Sequence, residues 1–299
     1  MLCRLRHACL DEPSLEPTLP ERFPLTHHLF SVAITTLESL LKRDRLLVAA
    51  VLFVLTAVCW AYTVHMAREM ERMCMEMGMH MDMGMEMMMP QMQQWGLTEL
   101  SMLFVMWVVM MVAMMTPAAA PMILLFASVQ RKRREQERPF VRTGVFVTGY
   151  LLAWTAFSAV ATAAQWGLHE AAVLSPMMVS TSSVFGGAVL VAAGVFQWMP
   201  WKNTCLRHCR SPLSFITAEW REGAAGALSM GLKHGAFCTG CCWALMALLF
   251  VGGVMNLLWI AGLTIFVLLE KVVPAGEALG RAAGVLLAAA GLWVATQGG

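Results

Sequence analysis

The sequence predicts an all-α protein, a polytopic bundle of about seven transmembrane helices, with six as the nearest alternative. Hydrophobic residues make up 59% of the chain and charged residues only 13%, which is about half the charged share of an average soluble domain. Apolar stretches of roughly the 20 residues that a membrane span needs recur along the chain. Basic residues cluster in alternate connections between them. The predicted spans cover residues 46–66, 98–127, 143–166, 183–200, 227–252, 256–271 and 279–296.

The residues before the first predicted span are of mixed polarity. They include four prolines, their charges are balanced, and they lack an early apolar run. We therefore interpret them as a soluble, partly disordered tail and not as a signal peptide. The sequence thus predicts four regions: a cytoplasmic tail at 1–45, a first transmembrane helix at 46–66, an external methionine-rich loop at 67–97 and a transmembrane domain at 98–299.

The distribution of lysine and arginine predicts the orientation in the membrane. Basic residues precede the first span at Lys42, Arg43 and Arg45, and six more lie in the second connection, between Arg131 and Arg142. The methionine-rich connection has two arginines against five acidic residues, and Glu99 follows just after it. Positive loops stay in the cytoplasm. The N-terminus is therefore predicted to be cytoplasmic and the methionine-rich loop periplasmic or extracellular, in a multi-pass protein of the cell inner membrane. The lipid bilayer is a predicted partner, and a net charge of +2 gives no reason to expect nucleic acid.

Methionine is the anomaly of the composition. Thirteen of the 27 methionines lie between Met66 and Met92, and methionine occupies every second position from 73 to 87. In an extended backbone, alternate side chains point to the same side, so this pattern would align the thioethers on one face. The candidate ligands in this loop are Met73, Met75, Met77, Met79, His80, Met81, Met83 and Met85.

The chemistry of the thioether group favours copper in this loop. Thioethers are soft, uncharged ligands that suit Cu(I) and bind Mg, Ca or Mn poorly. The loop is therefore predicted to bind Cu(I) or silver. The alternative is an interfacial apolar segment or a low-complexity expansion, because methionine also forms adaptable apolar surfaces.

The second span carries a further row of methionines. These residues recur at every fourth position and therefore share one helix face. The candidate conduit for metal consists of Met106, Met110 and Met114, with Met102 at its outer end. Pro117 and Pro121 are predicted to distort the cytoplasmic half of this helix. The alternative interpretation of the row is ordinary helix packing.

The fifth span carries soft ligands at helical spacing. His234, Cys238 and Cys241 fall on one stripe with Met230, and Cys242 is adjacent. This pattern favours a site for Cu(I), with zinc as the alternative metal. The other interpretation is a set of buried thiols at a close helix interface, because the glycines at 231, 235 and 240 also favour close packing. Lys233, near the cytoplasmic end of this span, is predicted either to extend to the interface or to pair with Glu270.

The connection before the fifth span contains Cys205, His208 and Cys209, followed by Pro212. As a cytoplasmic loop it would keep its thiols reduced. The spacing matches part of a metal site and differs from the haem-attachment pattern, in which histidine follows the second cysteine. The alternative is a pair of loop thiols without a metal role.

Three segments carry a family resemblance. MWVVMMVAMMTPAAAP at 106–121, CLRHC with a proline three residues later at 205–212, and GLKHGAFCTGCCWALM at 231–246, with Glu270 and Lys271 downstream, resemble a bacterial family described as "predicted metal-binding integral membrane protein", a domain of unknown function. The resemblance covers about residues 98–296 and leaves out the methionine-rich loop. It implies no established reaction. It implies metal binding by Cys205, His208, Cys209, His234, Cys238, Cys241 and Cys242.

These patterns together predict a membrane protein that binds Cu(I) and takes part in copper transport, trafficking or tolerance. Its expected partners are the metal ion and a copper chaperone or copper enzyme. The alternative is a membrane metalloenzyme, or an assembly factor for a copper enzyme, with a resident metal. A structural scaffold with a fortuitous methionine expansion is the third interpretation. The sequence contains no phosphate-binding loop, Ser/His/Asp arrangement or ATPase signature, so it offers no catalytic residues and favours a non-enzymatic role.

Overall fold

A computed structural model describes residues 24–82, 96–171 and 182–297. The described residues form helices and no strand, which confirms the predicted all-α class. The helices are α1 Pro24–Asp82, α2 Leu97–Glu135, α3 Thr143–Glu170, α4 Ser183–Phe196, α5 Pro200–Arg210, α6 Pro212–Glu219, α7 Gly223–Ala247, α8 Leu249–Gly252, α9 Leu257–Val272 and α10 Gly276–Thr296. The chain divides into units at 1–43 and 44–299, and the bundle belongs to the second.

Within the part of the chain that the structure describes, five helices are long and apolar enough to cross a membrane. They are the Arg45–Met73 part of α1, then α2, α3, Gly223–Gly252 and α10. Helices α4 and α5 form a pair bent by 65°, which would add a sixth crossing if the pair is one span. The predicted span at 183–200 therefore corresponds to a 14-residue helix before a bend. The predicted span at 256–271 corresponds to α9, whose 16 residues are short for a full crossing.

Helix α1 differs from the sequence prediction at both of its ends. It begins at Pro24, inside the predicted disordered tail, and continues through Asp82, inside the predicted extended loop. The extended backbone is therefore wrong for residues 73–82, while residues 83–95 lie outside the described part of the chain. Proline is favourable at a first helical position. Methionine, glutamate and arginine are all good helix formers, and the composition of this segment outweighs its alternating pattern.

Glycines allow two pairs of helices to approach closely. On the α3–α7 contact, a Cβ at Gly149 would meet the backbone of Leu228, and a Cβ at Gly231 would meet the carbonyl of Phe146. Gly187 and Gly194 of α4 face α10 in the same way. Small residues at such seams let backbones pack against each other. The seam between α3 and α7 fixes the helix that carries His234 and three of the cysteines.

Helix α2 stays continuous through Pro117 and Pro121. A proline cannot donate to the carbonyl four residues earlier, so Pro117 leaves the Ala113 carbonyl without its helical partner. Trp60 of α1 donates its indole N–H to that carbonyl at 3.1 Å. The freed backbone group is thus satisfied by a neighbouring helix, and the same bond attaches α1 to α2.

Candidate metal centre

Four cysteines from two helices meet in the interior of the bundle. Cys238, Cys241 and Cys242 lie on α7 and are almost fully buried. Cys209 of α5 is half-buried, and its thiol interacts with the thiols of Cys238 and Cys241. The spacings of three and four residues place the α7 cysteines toward one face. We call these four residues the thiol cluster.

Cys238 is the centre of the thiol cluster. The thiols of Cys241 and Cys242 each donate to its carbonyl oxygen at 3.0 Å. Its own sulfur accepts a hydrogen bond from Nζ of Lys271, at the end of α9, at 2.9 Å. Thiols are therefore joined here by hydrogen bonds to the backbone of α7 and to a buried ammonium group.

Tyr150 of α3 connects the thiol cluster to α2. Its hydroxyl donates to the carbonyl oxygen of Met115 at 2.9 Å and lies 3.3 Å from the Cys238 sulfur. The side chain is almost fully buried. Neither Tyr150 nor Lys271 was among the candidates predicted from the sequence. The resemblance does include the Glu270–Lys271 pair, so for Lys271 a signal was present.

Helix α5 is not the loop that the sequence predicted. Pro200 occupies its first turn, where proline is tolerated, and the four-residue spacing of Cys205 and Cys209 then puts both on one face. The Cys205 sulfur lies 3.2 Å from where a Cβ would stand at Gly240. Cys205 is therefore seated against α7 beside Cys241.

The two predicted histidine ligands have other neighbours. His234 is buried among the rings of Phe146, Tyr150 and Phe215, and its Nδ1 is a buried atom without a hydrogen-bond partner in the described part of the chain. His208 places its Nδ1 2.8 Å from the carbonyl oxygen of Thr204, one turn earlier on α5.

The ring of His208 also stacks on Phe237 with 4.3 Å between centroids. His234 therefore has a nitrogen free to bind, whereas His208 has one nitrogen committed to its own helix. Their roles as metal ligands remain predictions.

Two buried lysines and one glutamate adjoin the thiol cluster. Lys202 of α5 pairs with Glu270 of α9 and also donates to Gln197, and both ionic side chains are 1% exposed. A Cβ at Gly280 would collide with the Glu270 carboxylate, so the glycine provides room for this pair.

The predicted pairing of Lys233 with Glu270 is wrong. Lys202 holds the Glu270 carboxylate, and Lys233 instead donates to Glu219 at 2.5 Å. This bond from Lys233 lowers the pKa of the Glu219 carboxyl below its ordinary value.

The methionine row of α2 lies mostly inside the bundle. Met106, Met110 and Met114 are buried, as are the neighbouring Met111 and Met115. Met102, at the start of the row, is 66% exposed. The row therefore runs from an exposed end toward Met115, whose carbonyl meets the Tyr150 hydroxyl beside Cys238.

The methionine-rich segment is described in part. Met73 and Met75 are exposed on α1. The backbone of residues 76–82 is helical, but the side chains of Met77, Met79, His80 and Met81 lie outside what the structure describes, as do Met83 and Met85 entirely. Alternate residues on a helix are about 200° apart. Met73 and Met75 therefore do not share the single face that an extended strand would give.

A cavity near the methionine-rich end of α1 was not predicted from the sequence. It has a volume of about 370 Å³ and lies between α1 and the turn that joins α8 to α9. Met70 and Met255 both line it, with Glu71 alongside. The signal for Met255 was weak, because it is an isolated methionine in a turn.

Across residues 24–82, 96–171 and 182–297, no group of three or more His, Cys, Asp and Glu side chains is arranged to hold a metal ion. The hydrogen bonds of the thiol cluster explain this, because Cys241 and Cys242 direct their thiols at a backbone carbonyl. Methionine is not among those four residue types, although its sulfur is also a ligand for Cu(I).

Comparison with known protein families decides the family. Residues 104–294, more than half of the chain, match the family model described as PpoB2, copper chaperone. The chain belongs to the PpoB2 copper chaperone family. This confirms the copper-related role predicted from the residues, under a family description different from the one that the resemblance gave. The PpoB2 region contains the thiol cluster, Lys271 and the buried α2 methionines, and it excludes the methionine-rich segment of α1. No curated protein and no solved structure matches the chain.

Proposed function

We propose that this PpoB2 family member is an inner-membrane copper chaperone that captures Cu(I) outside the cytoplasm and transfers it by ligand exchange to the thiol cluster. The observation that carries this proposal is the meeting of Cys209 of α5 with Cys238 and Cys241 of α7 in a buried interior. Thiolate and thioether sulfurs select soft ions such as Cu(I). The family description supports copper as the metal.

The route begins at the methionine-rich end of α1. Exposed Met73 and Met75 are accessible to incoming Cu(I), and the cavity lined by Met70 and Met255 lies further along the same helix. The buried α2 methionines lead on toward Met115, and Tyr150 joins Met115 to Cys238. Thioethers are neutral, so they can pass a monovalent ion without burying additional negative charge.

The membrane setting rests on five apolar helices and on the distribution of basic residues. Lys132, Arg133 and Arg134 end α2, on the side that the positive-inside rule assigns to the cytoplasm. We place the N-terminus on that side and the methionine-rich segment opposite. We expect the protein to remain in the membrane fraction after an alkaline wash. We also expect a reporter that works only in the cytoplasm to be active when it is fused to the N-terminus. A protein extracted as a soluble species would contradict the proposal.

The function is tested on the purified full chain in detergent without oxygen. We expect tightly held Cu(I) that a stronger Cu(I) chelator removes within minutes, because a chaperone must release its cargo. Copper that stays bound through prolonged chelation would favour the alternative, a metalloenzyme or an assembly factor with a resident metal. A protein that binds no Cu(I) with its cysteines reduced would exclude both.

A further inference from the structure

Lys271 lies beside the thiol cluster, and the proposed function does not use it. It stands in the last turn of α9, its side chain is 7% exposed, and its Nζ lies 2.9 Å from the Cys238 sulfur. It interacts electrostatically with all four thiols of the cluster, including that of Cys209. A lysine within an apolar helix bundle is costly and marks a functional position. The hydrogen bond from its ammonium group to the Cys238 sulfur indicates that Lys271 pairs with negative charge on the sulfur ligands.

The carboxylate next to Lys271 in the chain, that of Glu270, forms its ion pair with a different lysine. Glu270 is paired with Lys202, and Gln197 also accepts from Lys202. The two lysines and one glutamate therefore leave one net positive charge in the interior beside the thiol cluster. An uncompensated buried charge is strongly unfavourable. The interior is thus matched to a partner that carries one negative charge.

The charge of a metal–thiolate complex depends on the ion. Two thiolates around a monovalent ion carry one net negative charge, which Lys271 neutralises. The same two thiolates around a divalent ion are neutral and leave Lys271 uncompensated. Zinc also requires four ligands, whereas no three His, Cys, Asp or Glu side chains converge for one ion among the residues that the structure describes.

We propose that Lys271 is the counter-ion of an anionic two-sulfur complex at Cys209 and Cys238, and that it makes this site selective for monovalent soft ions, Cu(I) and Ag(I), over divalent zinc. The inference rests on the proposed function, because it assumes that the thiol cluster is the copper site. On metal binding, the thiols of Cys209 and Cys238 release their protons to solvent. The ammonium group gives up its hydrogen bond to the free Cys238 sulfur and remains beside the complex as its charge partner.

The test measures the affinities of the purified full chain for Cu(I) and for Zn(II), each by competition with a chelator. The variants are Lys271→Gln, Lys271→Arg and, as a matched control, Lys233→Gln, which removes a lysine of α7 that pairs with Glu219. Lys271→Gln is expected to weaken Cu(I) binding by about 10- to 100-fold, the usual cost of losing a partner outside the ligand shell. The same change should leave Zn(II) binding unchanged or stronger. Lys271→Arg should retain the preference for Cu(I), because it keeps the positive charge. Lys233→Gln should have no effect on either affinity.

The outcomes separate this inference from the proposed function. Unchanged Cu(I) affinity in Lys271→Gln, in a protein whose wild type binds Cu(I), would overturn the role of Lys271 and leave the copper site intact. Loss of all Cu(I) binding in the wild type would overturn the proposed function itself. Should Lys271→Gln fail to fold, the affinities of the wild type for the two metals test the selectivity. Zinc bound to the wild type as tightly as Cu(I) would contradict selectivity for monovalent ions.

Discussion

The methionine-rich end of α1 and the thiol cluster present sulfur in opposite settings. Met73 and Met75 are exposed and neutral, and they extend from a single helix. The cysteines are buried between α5 and α7, with an ammonium group at 2.9 Å from one sulfur. Neutral, exposed ligands exchange a metal easily, whereas buried ligands beside a fixed charge retain it. From the surroundings of each sulfur, more than from the number of sulfurs, we therefore propose capture at one region and retention at the other.

The largest expected effect comes from removing the retaining region. The double substitution Cys209→Ser with Cys238→Ser should weaken Cu(I) binding by more than the roughly 100-fold that the loss of an outer partner costs. Copper per chain after anaerobic loading and gel filtration measures it. Cys59→Ser is the control, because Cys59 is a buried free cysteine of α1. If the double variant still retained one tightly bound copper, the thiol cluster would not be the region that retains the metal. The proposed contrast between the two regions would then be wrong.

A smaller effect is expected from the capturing region. Changing Met73, Met75, Met77 and Met79 together to leucine removes four thioethers and keeps similar helix propensity. Uptake of Cu(I) at limiting copper should slow several-fold, while the affinity of the retained copper stays the same. Stopped-flow transfer from a weak Cu(I) donor measures the rate. The control is Met102→Leu, at an exposed methionine of α2. A lower final affinity with an unchanged rate would reverse the roles of the two regions.

The attachment of α1 to the bundle gives a third, smaller effect. Trp60→Phe removes the indole donor to the Ala113 carbonyl, and a lost hydrogen bond of this kind costs about 1 kcal/mol. The free energy of unfolding should fall by that amount, measured by denaturant titration in detergent, with no change in the copper retained by the cysteines. Tyr62→Phe, on the same helix, is the control. A loss of retained copper in Trp60→Phe would mean that α1 supports the thiol cluster directly.

The smallest effect concerns the pair between Lys233 and Glu219, away from both sulfur regions. The pKa of Glu219 is lowered in the folded protein. The carboxylate therefore contributes stability at pH values above its ordinary pKa of 4.5. This contribution is lost as the pH falls through the lower pKa that Glu219 has in the folded protein. Glu219→Gln should reduce the loss of stability on acidification below pH 4.5, measured by thermal unfolding between pH 3 and pH 6 at roughly unit steps. An identical pH profile in the variant would exclude the contribution.

The sequence predicted the all-α bundle and the stripe of His234, Cys238 and Cys241, because apolar length and helical spacing depend on the chain locally. It did not predict that Cys205 and Cys209 lie on a helix, since the mixed residues between Pro200 and Pro212 resemble a loop. The partners of the lysines were also missed. Lys202 rather than Lys233 reaches Glu270, and only the packing of α5 against α9 decides that.

The methionine-rich segment was mispredicted for the opposite reason. Its alternating pattern resembled a strand, and the good helix formers between the methionines extended α1 through it as far as Asp82. A two-residue pattern indicates a strand only when something buries one face of it. Met73 and Met75 are exposed, so no burial favours the strand in the described part of this segment.

The unbroken course of α1 sets how far the first sulfur ligands stand from the lipid. With residues 46–66 in the bilayer, residues 67–82 of the same helix rise about 24 Å beyond the hydrocarbon layer. Ligands on a stiff support occupy a fixed height, whereas ligands on a slack chain sample a broad volume. A soluble copper donor could thus dock well above the headgroups and deliver its ion without touching the bilayer.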